Sequence, residues 1–170
     1  KKGIICNYKV VVSVITNETV SRELLKRSGV ELGSDYVKAK QVANQLAIKE
    51  CLEKYGVKKI FTFHKSIASA KSFTCESDEG IAHHIPELET FHVNGDINAG
   101  SRESIINDFK NSDFALMSNA RCLTEGVDVP TVDMVAFLSP KRSQVDVIQA
   151  TGRAMRKSSN KDIGYILVPI

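Results

Sequence analysis

Six short apolar, β-rich runs recur along this 170-residue chain, with helical patterns between most of them. The runs are "YKVVVSVI" (8–15), "KKIFTFH" (58–64), "LETFHV" (88–93), "DFALMSN" (113–119), "VDMVAFL" (132–138) and "IGYILVPI" (163–170). Several are apolar almost throughout, as strands covered on both faces must be, whereas a strand with one wet face alternates. Strand and helix alternate from about residue 58 to the end. That order predicts βαβ units, right-handed crossovers and an α/β, doubly wound, mostly parallel sheet of about six strands with helices on both faces. Ligands of such a sheet meet the loops at the carboxyl ends of its strands, here those after His64, Val93, Asn119 and Leu138.

The longest helical pattern, residues 35–56, places Val37, Val42, Leu46 and Leu52 near one stripe and ends on Gly56, which suits a C-terminal cap. Further helices are expected over 66–73, over 100–112 with Ile105, Ile106 and Phe109 inward, and over 143–156, with Ser101 and Ser143 as N-caps. The polar stretch "TCESDEGIAHHIPE" (74–87) is expected to be a surface connection.

The length and the 42% of apolar residues fit a single domain, residues 1–170, with one substantial core. A net charge of +3 neither demands a nucleic-acid partner nor excludes one. No run approaches the roughly 20 apolar residues of a membrane helix, so no membrane partner is expected. The four cysteines, Cys6, Cys51, Cys75 and Cys122, form no CxxC pair, and a reducing, cytoplasmic setting is expected. Cys75 with His83 and His84 matches no zinc spacing, so no metal site is expected. The start on Lys1, running directly into an apolar segment, suggests a piece of a longer protein.

An α/β sheet raises the question of nucleotides. None of the ten glycines is followed by lysine, so the G-x-x-x-x-G-K-[ST] loop that cradles phosphates is missing, and so is G-x-G-x-x-G. "DEGI" (78–81) imitates an acid box but ends no apolar strand. Two other stretches carry more. In "SNARCLTEGVDVP" (118–130), Gly126 permits close backbone approach, and Asp128 before Val129-Pro130 sets a carboxylate at a turn. In "QATGRAMR" (149–156), Gln149, Arg153 and Arg156 fall within about 60° of one another on a helix. Val145, Ile148 and Met155 take the adjoining stripe, which puts the arginines at the rim of the buried face. A basic helix end favoured by the dipole explains Lys157 and, less well, Arg156. It leaves Gln149, Gly152 and Arg153 unexplained as a set, since an interior Gly costs about 1 kcal/mol against Ala.

"TEGVDVP" followed by "QATGRAMR" resembles motifs V and VI of superfamily 2 helicases, and "IFTFHKSIASAKSF" (60–73) resembles their motif IV region. "HVNGDINAGSRESIINDFK" (92–110) resembles the family segment with a Gly, an Arg and a helix-closing Phe, here Gly95, Arg102 and Phe109. "GIICNYKVVVSVI" resembles the connector, residues 1–8, and first strand of the second RecA-like domain.

The resemblance, which covers nearly the whole chain, implies a RecA-like fold and a division of labour. Arg153 and Arg156 would be arginine fingers reaching ATP held, with Mg, on an N-terminal RecA-like domain that carries the missing phosphate loop. Gln149 would orient them, and Gly126 with Asp128 would approach the ribose. His64, Ser66, Gly95, Asn119 and Thr124 would meet the phosphates of a nucleic-acid strand through amides, side chains or both. DEAD-box RNA helicases usually begin motif VI with a His followed by a basic residue. Gln149-Ala150 departs from that and favours the Q-x-x-G-R-x-x-R form of DNA translocases, including restriction-enzyme motors and repair-type helicases. DNA is therefore the expected partner over RNA. The alternatives are an RNA helicase domain, a scaffolding module that kept the fold without the motor, and an unrelated doubly wound enzyme using Cys or His.

Overall fold

The computed structural model describes residues 7–16, 18–20, 22–23, 36–120, 132–139, 152 and 163–169. Six strands, β1 (Asn7–Ser13), β2 (Lys59–Phe63), β3 (Glu89–Asn94), β4 (Ala115–Ala120), β5 (Met134–Phe137) and β6 (Ile163–Pro169), form one sheet in the order β1-β6-β5-β2-β4-β3. Every pairing is parallel. This is the doubly wound sheet that the apolar runs predict. β1 begins at Asn7, so the last two residues of the expected connector belong to the sheet.

Residues 18–20 and 22–23 are helical, and three helices are described from end to end: α1 (Tyr36–Tyr55), α2 (Ile67–Phe73) and α3 (Ala99–Asn111). The steps from β1 to β2 and from β2 to β3 run one way across the sheet, and the step from β3 to β4 runs back. A right-handed crossover then requires α1 and α2 on one face and α3 on the other, and the core divides accordingly. Ala47, Ile48 and Cys51 of α1 and Phe73 of α2 pack with Ile60, Leu116, Met134, Ala136 and Leu167 of the strands. On the opposite face Ile106 and Phe109 of α3 meet Phe61, Phe63, Met117, Val135 and Phe137. The alternation of Ile60 and Phe61, or of Leu116 and Met117, between the two cores is the period of two of a strand whose faces are both dry. β1 departs from this pattern. It is an edge strand, and its Tyr8, Val10 and Val12 are more than half exposed.

Gly56 ends α1 with φ +63, and its N–H donates to the Leu52 carbonyl, as a C-capping glycine should. The expected stripe on α1 is wider than its sequence spacing indicates. Val42 and Leu52 are buried and Leu46 is partly so, but Ala47, Ile48 and Cys51 are buried with them, as are the polar Asn44 and Gln45. The side chain of Val37 lies outside the described residues. The sheet covers Ala47, Ile48 and Cys51, and the 74–87 connection, pinned to α1, covers Gln45: the Glu79 carbonyl accepts from Gln41 Nε2 at 2.9 Å and from Gln45 Nε2 at 2.8 Å. A short 3-10 turn, Ile81–His83, then drives Ile81 and Ile85 into the core.

α3 begins earlier than its sequence suggests. The N-cap is Asn98, whose Oδ1 accepts the Ser101 N–H at 2.9 Å, so Ser101 lies inside the first turn. Ser143 and most of the expected 143–156 helix lie outside the described residues, and Gly152 is described as helical.

At the amino end of the sheet, the Asp133 carboxylate accepts the backbone N–H groups of Lys58 and Lys59 at 3.0 and 2.9 Å. The Lys59 amine donates to the Phe109 carbonyl at the end of α3 and lies 4.6 Å from the centre of the Phe109 ring. A lysine satisfying carbonyls at a helix C-terminus is favoured by the dipole.

Candidate functional site

At the opposite, carboxyl edge, β2, β4 and β3 are neighbours and end side by side. Their ends carry four of the residues singled out in the sequence. The backbone N–H of His64 donates to the Asn119 carbonyl at 3.0 Å, so the β2–β4 ladder continues one residue past β2. The Leu138 N–H donates to the Phe63 carbonyl at 3.2 Å, which extends the β5 side in the same way. Asn44 of α1 donates to the Leu138 carbonyl at 3.3 Å and ties the end of β5 to the helix.

His64 is buried, its ring tilted against Phe73 with centroids 5.0 Å apart. Its Nε2 lies 3.0 Å from the Thr62 hydroxyl, and its Nδ1 lies 3.4 Å from the Ser69 hydroxyl. Burial, and secondarily the neighbouring His92, push its pKa down to about 3. The ring is therefore neutral at physiological pH and brings no positive charge to a phosphate. Of the two donor routes to a strand that this residue could offer, the side chain is committed to packing and the backbone N–H to the Asn119 carbonyl. Asn119 is likewise buried, at 2% exposure. The cation this loop presents to solvent is Lys65, which the sequence reading did not single out.

The His64 ring has a consequence for stability. An unfolded histidine titrates near 6.5, so at acidic pH the unfolded chain binds a proton that the folded chain refuses. Stability should fall as pH drops below about 6.5, with a limiting slope of about 1.4 kcal/mol per pH unit from this residue, continuing towards its folded value. Urea unfolding of His64→Gln against wild type over that range checks this. The variant should show a visibly flatter dependence, and identical slopes would refute the assignment.

Ser66 is the N-cap of α2, its Oγ accepting the Ser69 N–H at 3.2 Å. Capping uses an oxygen lone pair and leaves the hydroxyl hydrogen for a donor contact. Gly95 is exposed in the turn that follows β3. The carbonyl of Asn94 accepts the Ile97 N–H, and Asn94 Oδ1 accepts the Asp96 N–H at 2.8 Å. Arg102 Nη2 donates to the Ile97 carbonyl at 2.6 Å and holds the same loop from α3.

Between these loops and α2 lies a polar network that the apolar look of the strands conceals. Ser118 Oγ is 3.0 Å from the Ala70 carbonyl, 3.0 Å from the Thr74 hydroxyl and 2.8 Å from His92 Nδ1. Thr62 and Ser118 are each fully buried. Their signal in the sequence is a small polar residue inside an otherwise apolar run.

Thr124, Gly126, Asp128, Gln149, Arg153 and Arg156 lie outside the described residues, and so do Cys6 and Cys122. Among the described residues no three His, Cys, Asp or Glu side chains are grouped to hold a metal ion. His84 Nδ1 is instead 3.5 Å from the Glu23 carboxylate. Burial, and secondarily the Glu50 carboxylate, push the Cys51 thiol up to about 11, which leaves it unreactive. No described helix is long and apolar enough to cross a membrane.

Residues 38–158 match the helicase conserved C-terminal domain. The chain belongs to that family. Among solved structures it is similar to the DNA-bound ATP-dependent Type ISP restriction-modification enzyme LlaBIII, at 29% identity and a TM-score of 0.74 over 98% of this chain and 12% of that one. It is also similar to domain 2 of the DEAD-box helicase Mss116p bound to an RNA duplex, at a TM-score of 0.59 over 96% of this chain and 54% of that one. The identity there is 16%, a likeness of fold alone. Of curated proteins, the putative ATP-dependent helicase IRC3 of Saccharomyces cerevisiae is 32% identical over 80 residues, 47% of this chain and 12% of that protein. UvrABC system protein B of Clostridium botulinum is 31% identical over 101 residues, 55% of this chain and 15% of that protein. The matches thus span only 12% and 15% of the length of these two relatives. The fold is the RecA-like sheet of helicase C-terminal domains.

Proposed function

We propose that this chain is the second motor domain of an ATP-dependent DNA helicase or translocase. One observation carries the reading: a family-typical RecA-like sheet whose β2, β4 and β3 bring His64, Ser66, Asn119 and Gly95 to one edge, in a chain without a phosphate loop of its own. In this reading ATP and Mg sit on an N-terminal RecA-like domain of the same protein, in a cytoplasmic setting. Arg153 and Arg156 stabilise the charge that develops on the transferring phosphoryl group, Gln149 orients them, and Gly126 and Asp128 lie against the ribose.

The edge loops track a nucleic-acid backbone. Exposed Lys65 supplies charge, the Ser66 hydroxyl a donor, and the Gly95 turn and Thr124 backbone or side-chain contacts, while buried Asn119 anchors the end of β4 by accepting the His64 N–H. ATP-driven closure of the two domains would shift these loops along the strand, and hydrolysis would reopen them. DNA is favoured over RNA by the Q-x-x-G-R-x-x-R form of residues 149–156 and by the 29% identity to an enzyme bound to DNA.

Photo-crosslinking of a thymidine oligonucleotide, with the adducts mapped by peptide, tests the surface. Adducts should fall on 64–66, 94–98 and 119–124. Adducts confined to the opposite edge, around Lys58 and Asp113, would refute it.

A further inference from the structure

The turn after β3 is held from behind by a relay whose hydrogen placement is determined by its geometry. Asn94 is 2% exposed, and its Oδ1 accepts the Asp96 N–H at 2.8 Å. A backbone N–H only donates, so the amide oxygen faces Asp96 and Nδ2 faces the other way. What it faces is His92 Nε2, at 2.8 Å. Since Nδ2 also only donates, Nε2 must be a bare acceptor, and a neutral ring then carries its hydrogen on Nδ1. Nδ1–H donates to Ser118 Oγ at 2.8 Å, which leaves the Ser118 hydroxyl to donate to the Ala70 carbonyl at 3.0 Å. Every link from α2 through β4 and β3 to the turn has one consistent direction.

A second proton has no place in this arrangement. On Nε2 it would point at the Asn94 NH2 group, donor against donor. Rotating the amide to relieve that clash would turn NH2 towards the Asp96 N–H, and the turn would lose its acceptor. We propose that His92 is a positioning residue for the Gly95–Asp96 turn, holding it through Asn94 while the ring is uncharged and releasing it when the ring is protonated.

The surroundings favour the uncharged form. Among the described residues the titratable groups that act on the ring are Lys71 from α2 and His64 from the end of β2, while β4 contributes the Ser118 hydroxyl. Burial first, and the Lys71 ammonium second, lower the His92 pKa from its ordinary value. The turn is therefore set at neutral pH and freed only on acidification below about 6.5, the ordinary histidine value. The functional half of this inference rests on the reading that the turn meets a nucleic-acid backbone.

Nitrogen-15 NMR of the 170-residue chain, titrated from neutral to acidic pH, reads the relay without any ligand. His92 should appear at neutral pH as the Nδ1–H tautomer, and the Asp96 amide should shift in step with His92 protonation. In His92→Gln, which keeps an acceptor and cannot titrate, that step in the Asp96 amide should vanish. In His92→Phe the amide should be displaced at every pH. An Nε2–H tautomer, or an Asp96 amide indifferent to the titration and to both variants, overturns the relay. Anisotropy with a labelled thymidine oligonucleotide reads the function. His92→Phe should bind about fivefold more weakly than wild type, the equivalent of one lost hydrogen bond, with His92→Gln restoring wild-type affinity. If the relay is present by NMR while the three proteins bind alike, the nucleic-acid reading of this turn is wrong.

Discussion

Replacing Arg153 or Arg156 with alanine in the complete protein is expected to lower ATP turnover by about a thousandfold, with a much smaller effect on nucleotide affinity. The asymmetry follows from what such a residue does. A guanidinium aimed at the transferring phosphoryl group meets its full share of negative charge only as the bond to the leaving oxygen loosens, so its removal is felt in the transition state. Arginine fingers elsewhere contribute about 10³ to 10⁵ in turnover. On a helix the spacing of Gln149, Arg153 and Arg156 would put all three on one rim, so on the proposed reading Gln149→Ala is expected to reduce turnover in the same sense, by disturbing orientation and not by removing charge. Lysine at 153 or 156 should rescue little, because an ammonium cannot reproduce the planar fork. Steady-state turnover with a parallel nucleotide-binding titration separates the two parameters. Wild-type turnover in both alanine variants would remove the arginine-finger assignment.

The second large effect concerns the scaffold. Phe109→Ala should cost about 3–5 kcal/mol of folding stability, as expected for emptying a fully buried aromatic site. The ring has no exposed surface, meets Phe91 edge-on with centroids 5.8 Å apart and lies beneath the Lys59 amine. It couples the end of α3 to the sheet face holding Phe61 and Met117, so the cavity cannot close without moving a helix. Against a typical total of about 5–15 kcal/mol, this would leave a much less stable domain. Urea unfolding provides the measurement, and a loss under about 1 kcal/mol would contradict the packing.

Phe109 also shows what was legible in the sequence. Its inward position follows from the spacing with Ile106, and both are buried on the same face. The strands could be read for a related reason: a run such as "DFALM" has no polar face to offer water, so it must lie inside a sheet covered on both sides.

Other features depend on contacts that periodicity cannot carry. Gln41 and Gln45 look like the wet face of α1, yet both reach the Glu79 carbonyl of a connection that is itself polar in sequence. Asn98 and Ser101 are both capping residue types three apart, and the choice between them rests on which backbone N–H lacks a partner. His64 reads as a loop residue free to meet a ligand, but Thr62 and Ser69 draw its ring inward. The relay through His92 and Asn94 is divided among three elements distant in sequence, so no local pattern announces it.

The central claim is that this RecA-like domain supplies one side of an ATP site completed by another domain. It is tested most directly by measuring DNA-stimulated ATP hydrolysis for the complete protein alongside the 170-residue chain at equal concentration. The account predicts turnover that rises with single-stranded DNA in the complete protein and none from the chain alone. Hydrolysis by the isolated chain, or a complete protein with no ATP turnover in the presence of DNA, would contradict it.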